Sequence, residues 1–151
     1  MKKLLLATAL IAVSGAAIAQ DVVRLGTEGA YPPFNFINDA GEAAGFEREV
    51  GAALCKRAAL TCEWVTNEWD SIIPNLQSGN YDVIIAGMSI TDEREEVINF
   101  SQNYFPPAAS AFVALAADAD LKGAVAAQVS TIQAGYVAES GATLMEFATP
   151  D

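Results

Sequence analysis

The 151 residues carry 19 acidic side chains against eight basic ones and no histidine, a net charge of −11 at pH 7. So acidic a chain cannot neutralise phosphates, which argues against a nucleic-acid partner and against binding to an anionic membrane surface. No cofactor or metal is implied, and the bland meaning of the charge is solubility in a crowded compartment.

The chain opens "MKKLLLATALIAVSGAAIAQ". Lys2 and Lys3 form a positive start, Leu4 to Val13 an apolar stretch, and Ala17-Ile18-Ala19 a small-x-small cut site. That is the pattern of a cleaved export signal, residues 1–19, and the apolar part is short for a membrane anchor. Cleavage takes Lys2 and Lys3 away, leaving 132 residues with six basic and 19 acidic side chains, a net charge of −13.

After the signal, "DVVRLGT" reads as a buried strand. "EGAYPPFNF" contains Pro32 and Pro33, which remove backbone donors, so an ordered loop is expected, followed by a turn in "NDAGEAAG". The spacing Phe46, Val50, Leu54 predicts a helix with that apolar face, supported by its alanines. "TCEWVTN" is β-branched and alternating, hence a strand. "EWDSIIPNLQSGN" predicts a short helix capped by Asp70, with Ile72, Ile73 and Leu76 inward, Pro74 in its first turn and Gly79 as its stop. "YDVIIAG" is a third strand, apolar on both faces, as in a parallel sheet covered by helices. This order gives an α/β class.

The composition changes near Ala108 to Ala111, with ten alanines between residues 108 and 127. A boundary there divides the mature chain into residues 20–110 and 111–151. The later part predicts strands at "SAFVALA", "AVAAQV" and "TLMEFA" around a helix at "STIQAGYVAESG". About 40 residues is small for an independent core, so this second unit reads as partial.

The two cysteines lie in "CKRAALTC". Export permits a disulfide, and a helix-to-strand reversal would bring Cys55 and Cys62 together. A metal site would need more ligands, and two reduced buried cysteines are the remaining alternative. The bridge is the expectation.

"IIAGMSITDEREEVINFS" carries the sharpest signal. Ligands of open α/β sheets bind at carboxyl ends of strands, where Ala86 and Gly87 stand. Thr91 is a good N-cap, and Asp92 and Glu93 suit the positive end of the following helix. Arg94 does not. Either Asp92, Glu93 or Glu96 pairs with it, or it turns back over the strand end to grip an anion with a two-pronged hydrogen bond, beside the hydroxyl and N–H of Ser89. Read alone, Trp69 is ordinary core and Tyr31 beside its prolines is loop packing. An aromatic pair flanking an apolar stem would supply both area and cation–π attraction.

With these segments, together with "RLGTEGAYPPFNF", "GFEREVGAALCKRA", "WDSIIPNLQSGNYDV", "INFSQNYF" and "STIQ", the chain resembles the family 3 extracellular solute-binding proteins, which deliver polar amino acids to ABC importers. The resemblance implies a type II periplasmic-binding-protein fold, two α/β lobes on a hinge with the ligand closed between them. It implies that Arg94 holds the ligand α-carboxylate, and that Ala86, Gly87 and Ser89 contact its α-amino and α-carboxylate groups. It places the side chain between Tyr31 and Trp69, with Glu28 at its polar end and Thr131 adding donors from the second lobe. The family runs well past residue 151, so more second-lobe strands, a return hinge and a final segment are expected beyond it. The function implied is a periplasmic carrier, a monomer whose partners are a small amino acid and the membrane permease of an ABC importer. The alternatives are the sensor domain of a receptor, or an enzyme of the dehydratase or lytic transglycosylase kind on the same fold.

Overall fold

The computed structural model describes residues 22–150, so the expected export signal lies outside the described residues. The first lobe is organised by a three-stranded parallel sheet. Strand β1 (Val22–Thr27) is central, pairing over six residues with β5 (Thr61–Thr66) and over two with β6 (Val83–Ile84). Helix α1 (Phe46–Ala58) connects β1 to β5, and α2 (Ile72–Gln77) connects β5 to β6 across the other side of β1. The crossovers run in opposite directions, so the helices cover opposite faces. Leu25 and Ile85 pack with Cys55 of α1, whereas Ile84 and Ala86 pack with Ile72. The point where strand order reverses lies between β1 and β6, which is where such sheets open a crevice.

Several expectations change. The loop around Pro32–Pro33 and the turn after it form a small antiparallel sheet of β2 (Ala30–Tyr31), β3 (Asn35–Ile37) and β4 (Ala43–Ala44). Proline forbids a helix but tolerates such short edge strands. Helix α1 buries Glu47, Gly51 and Cys55, a face one residue round from the apolar one expected, and leaves Phe46 and Leu54 exposed. Gly51 decides this: a Cβ there would lie 2.5 Å from the Trp64 ring, so the bare backbone is the contact surface. Asp70 is not a cap. It lies in a 3-10 turn (Trp69–Ser71), and Ser71 precedes α2 without a side-chain capping bond. Pro74 does fall in the first turn of α2, and Gly79, at φ 76°, ends the reversal after it.

Cys55 and Cys62 form the disulfide, Cα to Cα 6.2 Å, tying the end of α1 to β5. Helix α3 (Asp92–Glu95) is a single turn capped by Thr91, whose hydroxyl accepts from the Arg94 N–H. Residues 99–123 form no strand, and 101–122 are exposed throughout. "SAFVALA" is therefore not a strand: strands exist by pairing, and nothing pairs with it among the described residues. The second lobe is a βαβ unit of β7 (Ala124–Gln128), α4 (Ile132–Glu139) and β8 (Thr143–Phe147), its strands parallel and its helix burying Ala134 and Val137. Among the described residues, no helix is long and apolar enough to cross a membrane.

Candidate functional site

Four chain reversals build the crevice. Glu28 follows β1, Trp69 follows β5, Ala86 and Gly87 follow β6, and Ser130 stands between β7 and α4. Each sits at a carboxyl strand end because the parallel sheets point those ends the same way. Gly87 adopts φ 60°, a left-handed turn that glycine enters without strain.

Arg94 reaches back over this end. Its Nη1 donates to the Ser89 carbonyl at 2.8 Å and its Nη2 to the Ser130 carbonyl at 3.2 Å, and its guanidinium lies 5.6 Å from the Trp69 ring centre. Among the described residues, none of Asp92, Glu93 and Glu96 forms a salt bridge with it. The pairing that the residues alone allowed is therefore absent. Burial pulls the guanidinium below its usual value, an effect that Glu93 opposes. The helix that this cation was thought to offend is one turn long, so its dipole is small.

Trp69 Nε1 donates to the same Ser130 carbonyl at 3.1 Å, so arginine and indole converge on one second-lobe oxygen. Beside them is a cavity of about 50 Å³ lined by Trp69, Ile73, Met88, Arg94 and Ser130 among others. A second cavity, about 260 Å³, is lined by Glu28, Thr66, Asn67, Glu68, Trp69 and Thr149 among others. Glu28 is 9% exposed there and accepts a hydrogen bond from Gln128 Nε2 across the lobes.

The remaining expected residues stand less directly. Tyr31 stacks on Phe34, ring centres 5.2 Å apart, and lies against Gly87, but it lines neither cavity. Ala86 is buried in the core with Trp69 and Ile72. Ser89 is exposed and offers Arg94 its carbonyl. The Thr131 hydroxyl caps α4, accepting from Ala134 N at 3.1 Å and donating to the Gln128 carbonyl at 2.6 Å. Ser130, Gln128 and Glu68 went unnoticed in the sequence. Ser130 acts through its carbonyl, which has no side-chain signature, although its φ of 58° marks a constrained turn.

A buried polar chain lies beneath. Glu47 is fully buried and accepts from Asn35 Nδ2 at 2.6 Å and from the Tyr104 hydroxyl. Tyr104 also accepts from Gly87 N–H at 3.1 Å, and Asn35 Oδ1 accepts from Gly29 N–H at 2.7 Å. Burial first, then the Glu47 bond, push the Tyr104 phenol above its usual value.

Residues 23–141 match the family of bacterial extracellular solute-binding proteins, family 3. The chain belongs to that family. Among solved structures, it resembles a periplasmic His/Glu/Gln/Arg/opine family-binding protein from Silicibacter pomeroyi in complex with lysine, with 77% identity and a TM-score of 0.83 over 85% of this chain and 59% of that one. It is 45% identical to the octopine-binding periplasmic protein of Rhizobium meliloti over 68% of this chain and 35% of that protein. It is 43% identical to the L-arginine-binding protein of Pseudomonas aeruginosa over 70% of this chain and 42% of that protein. This family 3 chain thus spans less than half the length of those two relatives, which are binding proteins.

Proposed function

We propose that this family 3 chain is the ligand-gripping part of a periplasmic carrier for an L-amino acid with a cationic or amide side chain, passed on to the permease of an ABC importer. In this reading residues 1–19 are the export signal, 20–110 the gripping lobe and 111–151 part of the second lobe. One observation carries it. The crevice has a cation at one end, Arg94 without a carboxylate partner among the described residues, and carboxylates at the other, Glu28 and Glu68 on the larger cavity. An amino acid with a basic side chain has the complementary pattern. Its carboxylate would take the place of the Ser130 carbonyl on Arg94, where a charge-assisted bond is stronger than the neutral one. Its stem would lie on Trp69, its far end toward Glu28, and Gly87, Ser89, Tyr31, Ala86 and Thr131 would shape the remaining wall. The lysine complex of the Silicibacter pomeroyi protein and the arginine-binding relative support that side-chain class. Binding of this kind needs no general acid or base, so the reading is transport without chemistry, by a monomer.

A thermal-shift screen of the twenty amino acids tests it, because a ligand that binds the folded state raises the melting temperature. Arginine, lysine or glutamine should raise it most. A larger rise with aspartate or glutamate would contradict the proposal.

A further inference from the structure

Glu47 is the odd residue of helix α1. A glutamate at a helix start ordinarily sits in water and gains from the dipole. This one is fully buried on the inner face, where an unpaired carboxylate would be very costly. Its two oxygens face two different donors. Asn35 Nδ2 meets Oε2, and the Tyr104 hydroxyl meets Oε1. Each donor group reaches one step further, to a backbone N–H: Asn35 Oδ1 takes that of Gly29, and the Tyr104 oxygen that of Gly87. Those two glycines stand in the reversals after β1 and β6, at φ 80° and φ 60°. One reversal carries Glu28 and the other leads to Ser89 and Arg94. Tyr104 belongs to the exposed segment, residues 101–122, that runs from the first lobe to the second.

We propose that Glu47 is a positioning residue, which joins the two ligand-bearing reversals into one rigid unit and, through Tyr104, couples them to the interlobe segment. The covalent chain does not do this, because Gly29 and Gly87 lie on opposite sides of α1, β5 and α2 in sequence. The Glu47 carboxylate suits the role because it accepts from both sides at once. A glutamine has one oxygen and one NH₂, so it satisfies one arm and sets a donor against the other. The consequence for binding rests on the proposed ligand reading; the coupling itself does not.

Two variants and two readouts test it. Tyr104→Phe removes one hydroxyl and little volume; Glu47→Gln keeps the shape and removes one acceptor. The amide resonances of Gly29 and Gly87 are followed in the mature protein by NMR, with L-lysine titrated in parallel. In Tyr104→Phe, the Gly87 amide should shift and exchange faster, and the distant Gly29 amide should shift with it. Lysine affinity should fall about tenfold, the scale of one lost hydrogen bond. Glu47→Gln should move both amides, and if it does not fold, Tyr104→Phe decides alone. A change confined to Gly87 in Tyr104→Phe would overturn the coupling, and unchanged lysine affinity would overturn the positioning role. A wild-type protein that ignores lysine would refute the ligand reading instead, and the two amides would still decide the coupling.

Discussion

At the scale of single residues, the crevice holds its donors in place by internal hydrogen bonds. Arg94 is held by the carbonyls of Ser89 and Ser130 and by the face of Trp69. That it turns back over the strand end was one of two readings that its place among acidic residues left open in the sequence. Ser130 could not be suspected there, because every residue has a carbonyl. Glu47 was hidden for the opposite reason: a glutamate at a helix start already has a reason to be there. A different ion pair makes a pH prediction. Arg24 donates to both carboxylate oxygens of Asp82, through Nη2 at 2.8 Å and Nε at 3.1 Å, and again through its backbone N–H at 2.8 Å. The side-chain bond, then the backbone bond, lower the Asp82 carboxyl from 3.8 to about 2. The folded state therefore holds its Asp82 proton less tightly than the unfolded chain. The resulting stability is complete above the ordinary carboxylate value and is lost as pH falls toward 2. Asp82→Asn should flatten that part of the acid unfolding curve, followed by circular dichroism. An unchanged slope would show that this exposed pair contributes nothing.

At the scale of elements, the parallel strands, their connecting helices and the βαβ unit of the second lobe were legible from apolar runs, glycine stops and threonine caps. Three features were not. The β2–β4 sheet consists of strands two or three residues long, too short for any periodicity. The inner face of α1 was misread because a glycine and a glutamate carry no apolar signal, yet Gly51 against Trp64 and Glu47 in its polar chain define that face. The segment at residues 110–116 has strand-like composition but no pairing partner among the described residues. Two element-level changes should be measurable. Reducing Cys55–Cys62 opens a short loop at the C-terminus of α1, and urea unfolding should show a loss of about 2.5 kcal/mol in the chain-entropy account. Gly45, just before α1, sits at φ 106°, and an added Cβ would lie 2.5 Å from the Phe34 carbonyl oxygen. Since that oxygen is backbone and accepts from Glu47 N–H, Gly45→Ala should cost at least about 2 kcal/mol in the same assay. A cost under about 0.5 kcal/mol would mean that this turn relaxes freely.

At the scale of the whole molecule, polar contacts between the lobes among the described residues include Ser130 on Arg94 and Trp69, and Gln128 on Glu28. Each pairs a first-lobe group proposed for the ligand with a second-lobe group. These contacts hold Arg94, Trp69 and Glu28 in place, and in the proposed reading a ligand would exchange them for stronger, charged ones. In the proposed reading Arg94 recognises the ligand carboxylate. Lysine and cadaverine differ by that one group, sharing the chain and the terminal ammonium, so titrating both by calorimetry into the wild type and Arg94→Ala isolates it. The wild type should prefer lysine by about 2–5 kcal/mol, the scale of a desolvated charge pair, and most of this preference should vanish in Arg94→Ala. An equal preference in both proteins would show that the carboxylate is held elsewhere and that Arg94 does not recognise it.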